Sequence, residues 1–209
     1  MKYSIKELYL TLQGEGLHTG RPAVFCRFSG CNLWSGREED RATAICQFCD
    51  TDFFGTDGDG GGQFETAHDL AESIALIWNG DETPFVVCTG GEPLLQMDVA
   101  LVEAIHAFAF EIAVETNGTL PVPAGVDWVC VSPKAETEVV VSSGDELKLV
   151  YPQENAWPES YESLDFNHFF LQPMDGPQFE ANQRATIEYC LSHPQWKLSA
   201  QTHKLIGIR

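Results

Sequence analysis

Apolar residues recur along the chain in two different periods. Six short stretches are apolar almost throughout and rich in β-branched and aromatic residues: 22–28 (PAVFCRF), 85–89 (FVVCT), 111–116 (EIAVET), 128–132 (WVCVS), 147–151 (LKLVY) and 168–172 (HFFLQ). That length and composition predict strands, most of them buried on both faces. Three longer stretches repeat at helical spacing. In 66–79, Leu70, Ile74 and Ile77 share a face, and Thr66 with Asp69 resembles a capping box. Residues 97–109 carry Val99, Val102 and Ile105, and 179–192 carry Ile187 and Leu191. A last strand is expected near 196–206.

Apolar strands alternating with helices argue for parallel βα units. Six parallel strands would ordinarily take about five crossover helices, yet the periodicity supports only three. The expected fold is therefore α/β: a partial, open β/α barrel with about six parallel strands and about three helices. No linker-like stretch divides residues 1–209, so one domain is expected. Residues 55–63 (GTDGDGGGQ) read as a flexible surface loop. They lack the flanking strand and helix, and the Lys-Ser pair, of a phosphate cradle.

Charge narrows the choice of partner. The net charge of −19 provides no basic surplus to neutralise a duplex or an anionic bilayer, so neither nucleic acid nor membrane is expected. No stretch has the form of a signal peptide or the length of a membrane span. Seven cysteines, an odd number, then point to a reduced, cytoplasmic setting and to metal or redox chemistry for clustered thiols.

Three cysteines are clustered. Cys31, Cys46 and Cys49 follow the first of the six strands, with fourteen residues and then two between them. The x2 spacing puts Cys46 and Cys49 on one tight turn. A structural zinc site takes four protein ligands, and neither His18 nor His68 has ligand-like spacing. Three thiolates suit a four-iron cluster with one iron left open to a substrate or cofactor. Cys26, Cys88, Cys130 and Cys190 fall in predicted strands and a helix and read as core residues. Polar motifs end four of the other five strands: TGGEP at 89–93, ETNG at 115–118, SPK at 132–134 and QPMD at 172–175. Any one of these marks a turn equally well; four at the same end of parallel strands converge on one mouth.

Three cysteines followed by GGEP resemble the radical S-adenosylmethionine superfamily, whose usual spacing is three residues and then two. Lengthening a flexible loop from three residues to fourteen costs roughly 1.4 kcal/mol of closure entropy, so the longer gap is compatible with a cluster. Further motifs resemble one family within it, the 7-carboxy-7-deazaguanine synthases: LQGEG at 12–16, FCRFSGCNL at 25–33, CDT at 49–51 and HKLIGIR at 203–209, with the four strand-end motifs between them.

That resemblance implies a homodimer, a [4Fe–4S] cluster, S-adenosylmethionine, Mg²⁺ and an electron donor such as flavodoxin. The implied substrate is 6-carboxy-5,6,7,8-tetrahydropterin. It is converted to 7-carboxy-7-deazaguanine with loss of ammonia, on the way to queuosine and other deazapurines. Cys31, Cys46 and Cys49 would hold three irons, and Thr51 the Mg²⁺. Cofactor contacts would come from Phe48 against the adenine and from Gly91, Glu92, Asn117, Ser132, Pro133, Lys134, Gln172, Pro173, Met174 and Asp175. Substrate contacts would come from Leu12, Gln13, Gly14, Glu15, Arg27, Thr89, His203 and the terminal carboxylate of Arg209. Glu115 would transfer a proton. Arg27 lies between apolar neighbours in a strand; a buried arginine needs a partner, and a substrate carboxylate is one. Two other readings share the cysteines: an activase that makes a radical on a partner protein, and a zinc-stabilised binding module.

Overall fold

The computed structural model describes residues 2–209. Its elements, in chain order, are β1 (Tyr3–Leu12), β2 (Pro22–Phe28), β3 (Gly62–Phe64), α1 (Ala67–Ile77), β4 (Phe85–Gly90), α2 (Val99–His106), β5 (Glu111–Thr116), β6 (Trp128–Val131), β7 (Ser143–Tyr151), β8 (Asp165–Pro173), α3 (Phe179–Ser192), β9 (Trp196–Leu198) and α4 (Thr202–Ile206). All nine strands form one sheet in the order β3-β1-β2-β4-β5-β6-β7-β8-β9. From β2 to β9 neighbouring strands run parallel, whereas β1 pairs antiparallel with both β2 and β3. The result is an open partial barrel of seven parallel strands with an antiparallel flap on one edge.

The flap departs from the pattern expected of the sequence, and a bulge explains why. Ile5 pairs with Phe28 and Glu7 with Arg27, so Lys6 is an extra residue. Tyr3, Ile5 and Leu8 are the buried positions. Inserting one residue shifts the inward face by one position, which erases the period of two. β3 begins in the last two residues of the glycine-rich stretch expected to be loop and extends to Phe64; its three residues zip onto Tyr3–Ile5. The expected last strand is confined to β9, and the chain then turns into α4.

Three longer helices sit where the periodicity places them. Thr66 caps α1 by accepting from the Asp69 amide at 3.1 Å, and Asp98 caps α2 by accepting from the Leu101 amide at 2.9 Å. α1 and α2 cover the outer face of β2, β4 and β5, where Val24, Cys26, Phe28, Val86, Cys88, Ile112 and Val114 meet Leu70, Ile74, Leu101, Val102 and Ile105. Each such side chain contributes roughly 1.5–3 kcal/mol by leaving water. A second cluster, built on Leu147, Leu149, Phe169, Leu171 and Trp196, lies towards α3. No helix separates β5 from β6, β6 from β7 or β7 from β8; these connections are loops and one short 3₁₀ turn, as the shortage of helices implies. Cys26, Cys88 and Cys130 are buried and Cys190 is half-buried, and none of the seven cysteines is in a disulfide.

Candidate active site

The inner face of the same strands changes character along its length. Ala23, Phe25, Phe85, Val87 and Ala113 form a small apolar layer at the lower end. Two residues further along each strand, on the same side, stand Arg27, Thr89 and Glu115. The register places Arg27 beside Thr89, and Cys88 beside Val114, so the three polar side chains are neighbours. They open into a cavity of about 290 Å³ at the C-terminal ends of the parallel strands.

That cavity brings together most of the residues singled out in the sequence. Leu12, Gln13, Gly14, Glu15, Arg27, Thr89, Glu115, His203 and Arg209 line it, as do Cys31, Cys46, Phe48, Cys49 and Thr51. So do Gly91, Asn117, Ser132, Lys134, Gln172, Pro173 and Asp175. Glu92, Pro133 and Met174 are not in its wall. Glu92 is fully buried beneath it, accepting from the Leu94 amide (3.0 Å), Thr116 Oγ1 (2.8 Å) and the Asn117 amide (2.8 Å). It thereby ties the end of β4 to the end of β5. Pro133 and Met174 offer backbone carbonyls to Gln153 and Asn182.

Two glycines are required by close approach. A Cβ on Gly91 would overlap the Gly30 carbonyl and Cβ of Cys31, so the β4 turn packs directly on the first cysteine. A Cβ on Gly14 would overlap the His203 ring, so the β1–β2 loop and α4 touch through that space.

Burial pushes the Cys31 and Cys46 thiols up, and each feels a neighbouring thiol of the cluster. Burial pushes Lys134 down, against the pull of Cys46 and Cys49; its ammonium donates to the Ser132 carbonyl (2.6 Å) and hydroxyl (2.8 Å). Among the described residues, no three His, Cys, Asp or Glu side chains are grouped to share one metal ion. An iron–sulfur cluster instead takes each thiolate on a different iron, and its positive charge holds such thiols deprotonated. The three thiols around one cavity fit that demand. The long gap between Cys31 and Cys46 is folded back over them. Arg41 stacks 4.0 Å above the Trp34 ring and donates to the carbonyls of Gln47 (2.9 Å) and Cys49 (3.0 Å), while Trp34 meets Phe53 edge-on.

Across the cavity, Arg27 donates to Glu7 Oε1 and to the Tyr9 hydroxyl, both at 2.8 Å. The partner a buried arginine needs is thus Glu7, which also receives Arg209 at 2.7 Å. Arg27 Nη1 bonds to nothing among the described residues. Glu15 accepts from Gln172 (3.1 Å), Gln201 (3.0 Å) and Lys148 (2.7 Å). Glu115 accepts from Gln13 (3.2 Å), Thr89 (3.1 Å) and the same Lys148 (3.1 Å). Tyr9, Asp50, Lys148, Gln201 and Lys204 line the cavity without having been singled out in the sequence. A signal existed for Lys148: Glu146 and Lys148, two apart in an otherwise apolar strand, mark a polar inner face.

An open parallel barrel with three thiols and four polar strand ends around one mouth defines a class, and the comparisons name it. Residues 40–142 match the family model described as Radical SAM superfamily. Over its full length, and over the full length of each relative, the chain is 64% identical to 7-carboxy-7-deazaguanine synthase of Caulobacter vibrioides and 62% identical to that of Bordetella pertussis. The crystal structure of QueE from Escherichia coli matches with a TM-score of 0.73 at 29% identity, covering 97% of this chain and 95% of that one. The chain belongs to the 7-carboxy-7-deazaguanine synthase family. It is a radical S-adenosylmethionine lyase acting on a small molecule, with a [4Fe–4S] cluster and S-adenosylmethionine as its cofactors. No helix among the described residues is long and apolar enough to cross a membrane.

Proposed function

We propose that this chain converts 6-carboxy-5,6,7,8-tetrahydropterin to 7-carboxy-7-deazaguanine with loss of ammonia, as a step towards queuosine and other deazapurines. Residues 1–209 serve as one catalytic domain, supported by the unbroken sheet. The enzyme works in the cytoplasm as a homodimer, with Mg²⁺ on Thr51 and electrons from a donor such as flavodoxin. The observation that carries the reading is the meeting, in one cavity, of Cys31, Cys46 and Cys49 with Arg27, Glu15 and Glu115.

When bound, the reduced cluster and S-adenosylmethionine supply a radical strong enough to take hydrogen from carbon; binding and positioning fall to the protein. Gly91, Asn117, Ser132, Lys134, Gln172, Pro173 and Asp175 form the cofactor side of the cavity, with Phe48 against the adenine. Glu92 fixes the amides and hydroxyl at the ends of β4 and β5 rather than reaching the cavity itself. On the substrate side, Arg27 has its Nη1 free for a carboxylate while Glu7 holds its other edge. His203, seated in the space over Gly14, and the Arg209 carboxylate complete that end. Gln13 and Glu15 meet the pterin edge. Glu115 has three of its roughly four acceptor positions filled, which leaves one to receive a proton.

Anaerobic reconstitution followed by incubation with S-adenosylmethionine, a reductant and the tetrahydropterin tests this. The expected result is a brown protein with about four irons that forms the deazaguanine mass. A colourless protein with stoichiometric zinc, or a brown one that leaves the pterin intact, overturns it.

A further inference from the structure

Among the described residues, Lys148 is the side chain that joins the carboxylates of Glu15 and Glu115 across the cavity. It is buried, and its ammonium lies 2.7 Å from Glu15 Oε2 and 3.1 Å from Glu115 Oε1. The two acids reach it from different parts of the fold, one from the loop after β1 and one from the end of β5. Their remaining donors are neutral: Gln172 and Gln201 on Glu15, and Gln13 and Thr89 on Glu115. Among the described residues, Lys148 therefore supplies the only full positive charge within hydrogen-bond distance of either carboxylate. One ammonium between two carboxylates leaves one net negative charge on this wall, and each acid keeps one acceptor position open.

We propose that Lys148 is a positioning residue for this reaction, drawing Glu15 and Glu115 to one ammonium and setting which acceptor position each turns to the substrate. The inference rests on the reading under Proposed function. Burial pushes the Glu15 carboxyl up; the charge and hydrogen bond of Lys148, with smaller help from Gln201 and His203, together outweigh it and hold the group below its usual range. Burial pushes Lys148 down, but the surrounding groups, Glu115 and Glu15 foremost among them, together hold it well up. The other titratable groups facing this pair do not replace it. Glu146 and Cys130 are driven towards their neutral forms by burial, Lys134 is turned to Ser132, and His203 faces Glu15 from α4.

The sign of the pH effect follows. Without Lys148 the buried carboxyl holds its proton to higher pH, so the ionised form, and turnover with it, is lost sooner as pH falls. Steady-state pH profiles of the reconstituted holoenzyme, with iron content and S-adenosylmethionine binding as controls, test this on Lys148→Met and Lys148→Arg. Lys148→Met should keep both controls and lose about 100-fold in kcat/KM at neutral pH, the low end of what a positioned proton-transfer group contributes. Its acid limb should move to higher pH, with part of the loss recovered in alkali. Lys148→Arg should lose less and keep the wild-type limb. An unmoved limb in Lys148→Met, or an equal displacement in both variants, overturns the inference. Should Lys148→Met not fold, the arginine variant and the wild-type profile decide: a wild-type acid limb at or above the ordinary carboxylate range overturns it. A wild-type enzyme that forms no product from the tetrahydropterin sinks the underlying reaction instead, which separates the two failures.

Discussion

The two faces of β2, β4 and β5 are made from alternate residues of the same strands, yet they obey different rules. The outer face is apolar from end to end, covered by α1 and α2, and makes no use of polar chemistry. The inner face is apolar only in its lower layer and then turns to Arg27, Thr89 and Glu115 within two residues. Stability is therefore concentrated on one side of a single sheet and reactivity on the other. A strand that is rigid because its back is packed can hold a charged front in place.

Substitutions on the two faces should separate these effects. Glu115→Gln keeps the shape of the inner face and removes its charge; kcat should fall by about 10²–10⁴-fold with the melting temperature near that of wild type. A large loss of stability instead would show that the inner face also holds the fold. Leu101→Ala, fully buried on α2, should cost about 2–5 kcal/mol in denaturant unfolding, with KM unchanged for the protein that remains folded. A shifted KM would break the independence of the two faces. Arg27→Ala should weaken substrate binding by about 1.5–3 kcal/mol, the range for a charged hydrogen bond, and leave cofactor binding alone. Calorimetry with each ligand checks this, and an equal loss for both would remove Arg27 from the carboxylate.

The smallest effect is expected at the rim. Lys204 reaches both Asp50 (2.6 Å) and Asp175 (2.5 Å), joining α4 to the cysteine turn and to the end of β8. The Lys204 hydrogen bond holds the Asp175 carboxyl low; at Asp50, burial pushes up but Lys204 and Gln201 outweigh it. Groups lowered on folding stabilise above the unfolded value, about 3.9, and lose that contribution as pH falls through the lowered folded value. With about two-fifths of each side chain exposed, the pair is worth no more than about 1 kcal/mol. Unfolding followed from pH 5 to pH 2 should show that loss in wild type and not in Lys204→Met.

The outer face was the legible part of the fold, because Leu70, Ile74, Val102 and Ile105 repeat at helical spacing and nothing interrupts them. β1 was not legible, since the bulge at Lys6 moves Leu8 out of phase with Tyr3 and Ile5. β3 was hidden for a different reason: its glycine-rich sequence has no strand preference, and only the neighbouring edge of β1 makes it extended. In the cavity, motifs at strand ends were readable because turns leave glycine, proline and asparagine behind. Lys148 was not read, because it sits mid-strand among leucines, where a charge is meaningful only once its partners from residues 15 and 115 are known. Gln201 and Lys204 depend in the same way on contacts that span most of the chain.

The stacked excursion between Cys31 and Cys46 shows that counting residues between ligands is a poor guide to a metal centre. Arg41, fastened to Trp34 and to the Gln47 and Cys49 carbonyls, holds the excursion down over the cysteine turn whatever length of chain is spent in reaching it. Spacers of unequal size can accordingly deliver the same sulfur triangle, while a change of one guanidinium in a spacer of unaltered size unfastens it.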